Sequence, residues 1–226
     1  MSASNHPYPW LRGFAILWLL MYLPSYTKAY GTLNFLFLCN LGVIISAVGL
    51  IAGNRLLIAS QAVASPVVGI AWGLDVAWKL VTGEFLFGGA DYMFDPQWPL
   101  FNRILSFYHI AWPLLMLYLV RRDGYDRRGW PLQAGIALFG FIAGRLLGSP
   151  DQNINFAWAD PFFAQQHGPA AFHIIASWLI MVVVAYGLTH LLLRRLGGDR
   201  TDLGGSESGD ATESGDATGS RAAAGS

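Results

Sequence analysis

Six stretches of this chain, residues 10–26, 32–52, 56–81, 99–120, 130–148 and 170–193, are each apolar over about the 20 residues that a helix needs to cross a bilayer. With 54% hydrophobic and 12% charged residues, and those charges gathered into short runs, the chain is too apolar and too unevenly so for a water-soluble domain. The sequence therefore predicts an all-α polytopic membrane protein, a six-transmembrane-helix bundle over residues 1–198. A secretory leader is the rival reading of the first stretch, but no small-x-small cleavage site follows it, so it is read as a span.

Arginine sets the expected orientation. RRDGYDRRG follows the fourth stretch and RRLGGDR the sixth, which places both on the cytoplasmic side, and an even number of spans brings the N-terminus there too. The connections GEFLFGGADYMFDPQW and GSPDQNINFAWADPFFAQQHGP lack arginine and lysine, as external loops should. The expected location is a cell membrane, multi-pass, with both termini cytoplasmic. Residues 199–226, Gly/Ser-rich with six acids and two arginines, cannot bury enough surface to offset their ordering entropy and read as a disordered acidic tail. Without them twelve basic and eight acidic residues remain, a mildly basic membrane body.

Polar side chains inside a span are costly unless they face protein or water, so their spacing reports the inward face. Gln61, Ser65, Trp72, Asp75 and Lys79 recur at helical spacing on the third stretch, and Asn102, Ser106 and His109 on the fourth. The second carries Cys39 beside Asn40, and glycines spaced four apart on the fifth suit close helix packing. Counted from the external ends, Cys39 is expected roughly 10 Å deep, His109 roughly 15 Å and Asp75 roughly 9 Å. Arg103, Arg145 and His173 fall near the same external ends. A thiol, an imidazole, a carboxylate and several cations thus share the outer half of one bundle.

Each has a plainer reading. Cys39 is also a small hydrophobe, and His109 a hydrogen-bonded bridge between helices. Asp75 and Lys79 stand four apart in the order that pairs them. Arg103, Arg145 and His173 are shallow enough to reach headgroups. The shared depth is what favours a site. A lone cysteine makes no internal disulfide and no thiolate metal centre, so no metal is expected. Haem has only His109 and His173 to use, at depths differing by about three turns, so no cofactor is expected. The chain has no GxxxxGK and no strand-linked GxGxxG, which leaves P-loop, dinucleotide and nucleic-acid functions without support.

The motif FLCN, with Cys39 and Asn40, followed two helices later by FYH, with His109, resembles the YwaF-like family of integral membrane proteins. That family is related to eukaryotic transmembrane protein 164, a phospholipid acyltransferase. NINF and the aromatic, proline-containing stretch after it, residues 153–161, are similar in place to an NYM loop of that family, with different letters. The resemblance covers the six spans and implies that Cys39 is an acyl-accepting nucleophile and His109 its base. In the related androgen-induced gene family threonine stands in place of the cysteine.

The chemistry is intelligible from the residues alone. A buried thiol needs an adjacent base or a positive field. His109 supplies the base, Asn40 or Ser106 orients it or donates to an oxyanion, and Arg103 and Arg145 suit a lipid phosphate. The expected function is action on lipid acyl esters, by transfer or hydrolysis through an acyl-cysteine, with membrane lipids as partners. The alternatives are a small transporter or channel lined by Asp75, Lys79, His109 and Arg145, and a non-catalytic membrane scaffold.

Overall fold

Apolar sequence becomes helix at all six expected positions in the computed structural model, which describes residues 7–197. The helices are α1 (Pro9–Tyr30), α2 (Leu38–Ala52), α3 (Arg55–Thr82), α4 (Leu100–Leu105), α5 (Tyr108–Asp123), α6 (Gly129–Leu147), α7 (Ala170–Ile180) and α8 (Gly187–Gly197). No strand occurs among the described residues. Four helical stretches are long and apolar enough to cross a membrane: Arg55–Thr82, Leu100–Asp123, Gly129–Leu147 and Ala170–Leu196. The predicted tail, 199–226, lies outside the described residues.

Helix α3 is the axis, packed against α2, α5, α6 and α8. Its buried face is built of small residues, Ala59, Ser60, Ala62, Val63 and Ala64, which admit neighbouring backbones closely. Gly69 marks the tightest approach: a Cβ there would stand 2.5 Å from the His109 carbonyl oxygen. Gln61 donates to Gln133 at 3.0 Å and Gln133 to Tyr186 at 3.4 Å, tying α3 to α6 and to a π-helical turn, Met181–Tyr186, that joins α7 to α8. The Trp130 indole donates to the Val182 carbonyl within that turn at 3.3 Å.

Two expected continuous helices are interrupted, both at the end of the bundle that carries the long loops. The stretch 32–52 begins with a 3₁₀ turn, Thr32–Leu36, after Gly31 at φ 80°, and becomes α-helical only at Leu38. Cys39 therefore occupies the first turn of α2 and not a position seven residues into a helix. The stretch 99–120 bends at Ser106 and Phe107. Ser106 returns its hydroxyl to the Asn102 carbonyl at 3.0 Å, and its own carbonyl accepts both the backbone N–H and the ring Nδ1–H of His109, at 3.1 and 2.8 Å. Serine back-bonding of this kind bends helices.

Candidate functional site

The first turn of α2 brings Cys39 and Asn40 to the loop end, where α1 supplies a ladder of rings. Phe14, Trp18, Tyr22, Tyr26 and Tyr30 follow one another at four-residue spacing, successive centroids lying 6.1, 5.7, 4.1 and 5.1 Å apart. Tyr22 and Tyr108 both donate to Asn40 Oδ1 at 2.7 Å, while Asn40 Nδ2 donates to the Asn34 carbonyl at 2.7 Å. Both phenols thus converge on Asn40 Oδ1, which fixes them beside the start of α2. Cys39 is half-buried and free. It stands in the first turn of α2, at the positive end of the helix.

A second chain of hydroxyls runs alongside. Tyr26 pairs with Ser106 at 2.7 Å, and the Trp72 indole donates to the Tyr92 hydroxyl at 3.0 Å. Burial is the main cause that pushes the loop phenol of Tyr92 well above its ordinary pKa. The His109 ring packs on Trp72 at 5.0 Å and on Tyr108 at 4.1 Å. Because the Ser106 carbonyl can only accept, His109 carries its proton on Nδ1, which leaves the Nε2 lone pair as an acceptor. No hydrogen bond joins Nε2 to Cys39 among the described residues; Tyr108, adjacent in sequence to His109, bonds Asn40, adjacent in sequence to Cys39.

The remaining expected residues turn out to hold loops. Asp75 is 1% exposed and accepts the backbone N–H groups of Leu86, Phe87 and Gly88 on one oxygen, at 2.8, 2.8 and 3.3 Å, and of Ala90 on the other at 2.8 Å. It does not pair with Lys79, whose ammonium bonds the Gly83 carbonyl and lies over the Phe85 ring. Arg145 donates to the Ala157 carbonyl at 3.3 Å and stacks on Trp158 at 3.7 Å. His173 uses both ring nitrogens, accepting from His167 N–H at 3.2 Å and donating to the Phe156 carbonyl at 3.0 Å, so it has none to offer a haem iron. Arg103 donates to the Met93 carbonyl at 3.3 Å. No cluster among the described residues has the ligands for a metal ion.

Sequence reasoning passed over Tyr22, Tyr26, Tyr92, Tyr108 and Asn155. The ring spacing along α1 was the signal for the first two. For Asn155 there was none local: it sits at φ 56°, donates to the Leu36 and Gly140 carbonyls at 2.8 and 3.0 Å, and accepts Leu38 N–H at 2.8 Å.

Below this cluster lies a groove of about 560 Å³ walled by α1, α2 and α5. Leu11, Phe14 and Trp18 line one side, Val43 and Leu50 the floor, and Phe107, Tyr108, Ala111 and Leu115 the other side. Phe14, Phe107 and Ala111 on its lip are exposed. Fold and site together define an all-helical bundle with four helices long and apolar enough to cross a membrane, a capped loop end and an apolar groove that reaches Tyr108. Comparison with protein-family models, curated proteins and solved structures returns no match for this chain.

Proposed function

We propose that this chain is a six-span protein of the cell membrane, its arginine-rich end cytoplasmic and its loop end external, that acts on the acyl esters of membrane lipids at Cys39. The observation that carries this reading is the groove: an apolar channel sized for a hydrocarbon chain reaches Tyr108, whose hydroxyl bonds Asn40, the neighbour of Cys39. α1 supports the count of six, since it is 22 residues long and exposes Leu17 and Leu20, as a lipid-facing helix would.

In the proposed reaction Cys39 Sγ attacks the ester carbonyl carbon and the thiol proton passes to His109 Nε2. The tetrahedral intermediate expels the lysolipid alkoxide, which takes the proton from His109, and an acyl-cysteine remains. Water, or a second lipid hydroxyl, then attacks that thioester with His109 again as base and releases the thiol. Asn40 orients Tyr22 and Tyr108 as phenolic neighbours of the developing oxyanion. Catalytic hydrogen bonds commonly tighten only around a substrate, which accommodates the open Cys39–His109 arrangement. The FLCN and FYH resemblance points the same way. The transport reading is less favoured, because three of its four residues, Asp75, Lys79 and Arg145, are held by loop carbonyls and amides.

Lipid turnover by purified protein in vesicles, with Cys39→Ala compared at matched thermal stability, tests this. Loss of turnover in the variant is expected. Equal turnover in the two proteins would end the catalytic reading.

A further inference from the structure

The end of the bundle opposite the long loops carries an unbalanced charge. The segment joining α5 to α6, residues 121–128, holds four arginines against two aspartates, and α8 closes on Arg194 and Arg195. Each aspartate is engaged by its own neighbour: Asp123 accepts from Arg122 at 3.0 Å, and Asp126 from Arg128 at 2.7 Å. Arg121, Arg194 and Arg195 are exposed and have no ion-pair partner among the described residues.

Packing draws these arginines into one corner. The Tyr125 hydroxyl meets His190 Nδ1 at 2.7 Å, and the Trp130 ring lies 5.5 Å from the same imidazole, so the α5–α6 turn is fixed on α8. Arg194 follows His190 by one helical turn on the same face, while Asp126, Arg127 and Arg128 follow Tyr125 directly. The electrostatics agree: burial pushes the Tyr125 phenol up, the Asp126 charge adds to that, and the Arg194 charge opposes it. Cations gathered in this way repel one another and draw in a polyanion.

We propose that residues 199–226 of the same chain are that polyanion and dock on the corner formed by Arg194, Arg195 and the α5–α6 turn. Six acids and two arginines give this segment a surplus of four negative charges, which equals the surplus of four positive charges on the turn and the end of α8. Glu207, Asp210, Glu213 and Asp216 recur at every third residue with only Ser, Gly, Ala and Thr between them, so charge is what the segment offers. It also starts at the corner. Asp199 and Asp202 stand four and seven residues beyond Arg195, at most about 14 and 25 Å along an extended chain. A single exposed ion pair contributes little, so the contact depends on several pairs together and on the tether, which holds the acids at roughly millimolar effective concentration. The chain thereby supplies its own occupant for a surface that anionic headgroups would otherwise claim.

Fluorescence anisotropy of a dye on Ser214→Cys, in the full chain with Cys39→Ala so that one thiol is labelled, reads the docking in neutral detergent. At about 0.01 M salt the anisotropy should be high and independent of protein concentration. At about 1 M salt, where the Debye length is ~3 Å, it should fall to the level of a variant carrying Asp199→Asn, Asp202→Asn, Glu207→Gln, Asp210→Asn, Glu213→Gln and Asp216→Asn. Arg194→Gln with Arg195→Gln should lose most of the difference at low salt, and Arg194→Lys with Arg195→Lys should keep it, which separates loss of charge from loss of fold. Lys28→Gln, at the loop end of α1, should change nothing. Equal anisotropy with and without the six acids at low salt, or docking that survives loss of both arginines, would overturn the contact. Anisotropy that rises with protein concentration would assign the segment to a second copy and overturn it too. In nanodiscs the signal should hold when phosphatidylglycerol replaces phosphatidylcholine; release there would give the corner to lipid headgroups and end the proposal.

Discussion

Asn155 accepts the backbone N–H of Leu38 at 2.8 Å across 117 residues of sequence, and so the loop between α6 and α7 sets where α2 begins. The N–H groups in the first turn of a helix have no partner within it, and the loop side chain supplies one. Asn155 also adopts a left-handed backbone, which asparagine tolerates better than most residues. Asn155→Ala leaves Leu38 N–H without its partner and takes a donor from two carbonyls, and with an unpaired buried group costing about 1–3 kcal/mol, a clear fall in thermal midpoint in detergent is expected. An unchanged midpoint would show that the anchor is dispensable.

Asp75→Asn tests whether this carboxylate serves the loop. Hydrogen bonds to a charged group contribute about 1.5–3 kcal/mol each, and an amide presents N–H to at least one of the four backbone donors. Exchange of the Leu86, Phe87 and Ala90 amide hydrogens should accelerate, whereas Lys79→Gln should leave it unmoved. If Lys79→Gln had the same effect, the two residues would be acting as a pair after all.

Ala111→Trp tests the groove. Ala111 lines it from the exposed lip, so the indole fills the channel without entering the core. Lipid affinity should fall about tenfold, the equivalent of ~1.4 kcal/mol, with the thermal midpoint held. Affinity equal to wild type would place the acyl chain elsewhere.

Tyr108→Phe removes the hydroxyl that bonds Asn40, next to Cys39, while keeping the ring beside His109. Loss of one hydrogen bond costs about 1 kcal/mol of stability. Lipid turnover should drop by far more than that loss explains. A variant as active as wild type would take the phenol out of the reaction.

The loop carrying Asp160 has its own pH response. Desolvation pushes its carboxyl up, and the N–H groups of Phe163, Phe162 and Gln165 with the His167 ring more than offset that, holding it at about 2 against an ordinary 3.8. A depressed carboxyl stabilises the fold above its unfolded value and loses that contribution as pH falls through the folded one. Loop order, read from amide exchange of Phe162 and Phe163 corrected for intrinsic rate, should hold at pH 5 and fade between about pH 4 and 2. Asp160→Asn should show no step in that window.

The helical positions were legible because apolar runs of span length leave the chain few other folds. The start of α2 was not. TLNFLF between Gly31 and Leu38 is as apolar as the helix it precedes, and its partner Asn155 lies far off in sequence. Asp75 and Lys79 have the spacing of an ion pair, yet the glycine-rich GEFLFGGA that follows delivers enough backbone amides to take the carboxylate first. The depths counted for Cys39 and His109 assumed continuous helices, which the turn at Thr32–Leu36 and the break at Ser106 and Phe107 interrupt; Tyr108, which bonds Asn40 and packs on His109, was invisible to depth alone, since neighbouring helical residues point in different directions. The tyrosines of α1 were readable from spacing, but phenols in an apolar run pass for ordinary hydrophobes until Asn40 is seen to accept from them.

Asp75, Asn153, Asn155 and Asp160 each gather backbone groups from the loops at one end of the bundle. Such a lid has little freedom to open toward water, whereas the groove faces sideways between α1 and α5. On the proposed reading, encounter is then a search in two dimensions. Its frequency follows the mole fraction of the substrate within the bilayer and not its total concentration in the suspension, so adding inert lipid at constant substrate should slow turnover even when no molecule has been removed.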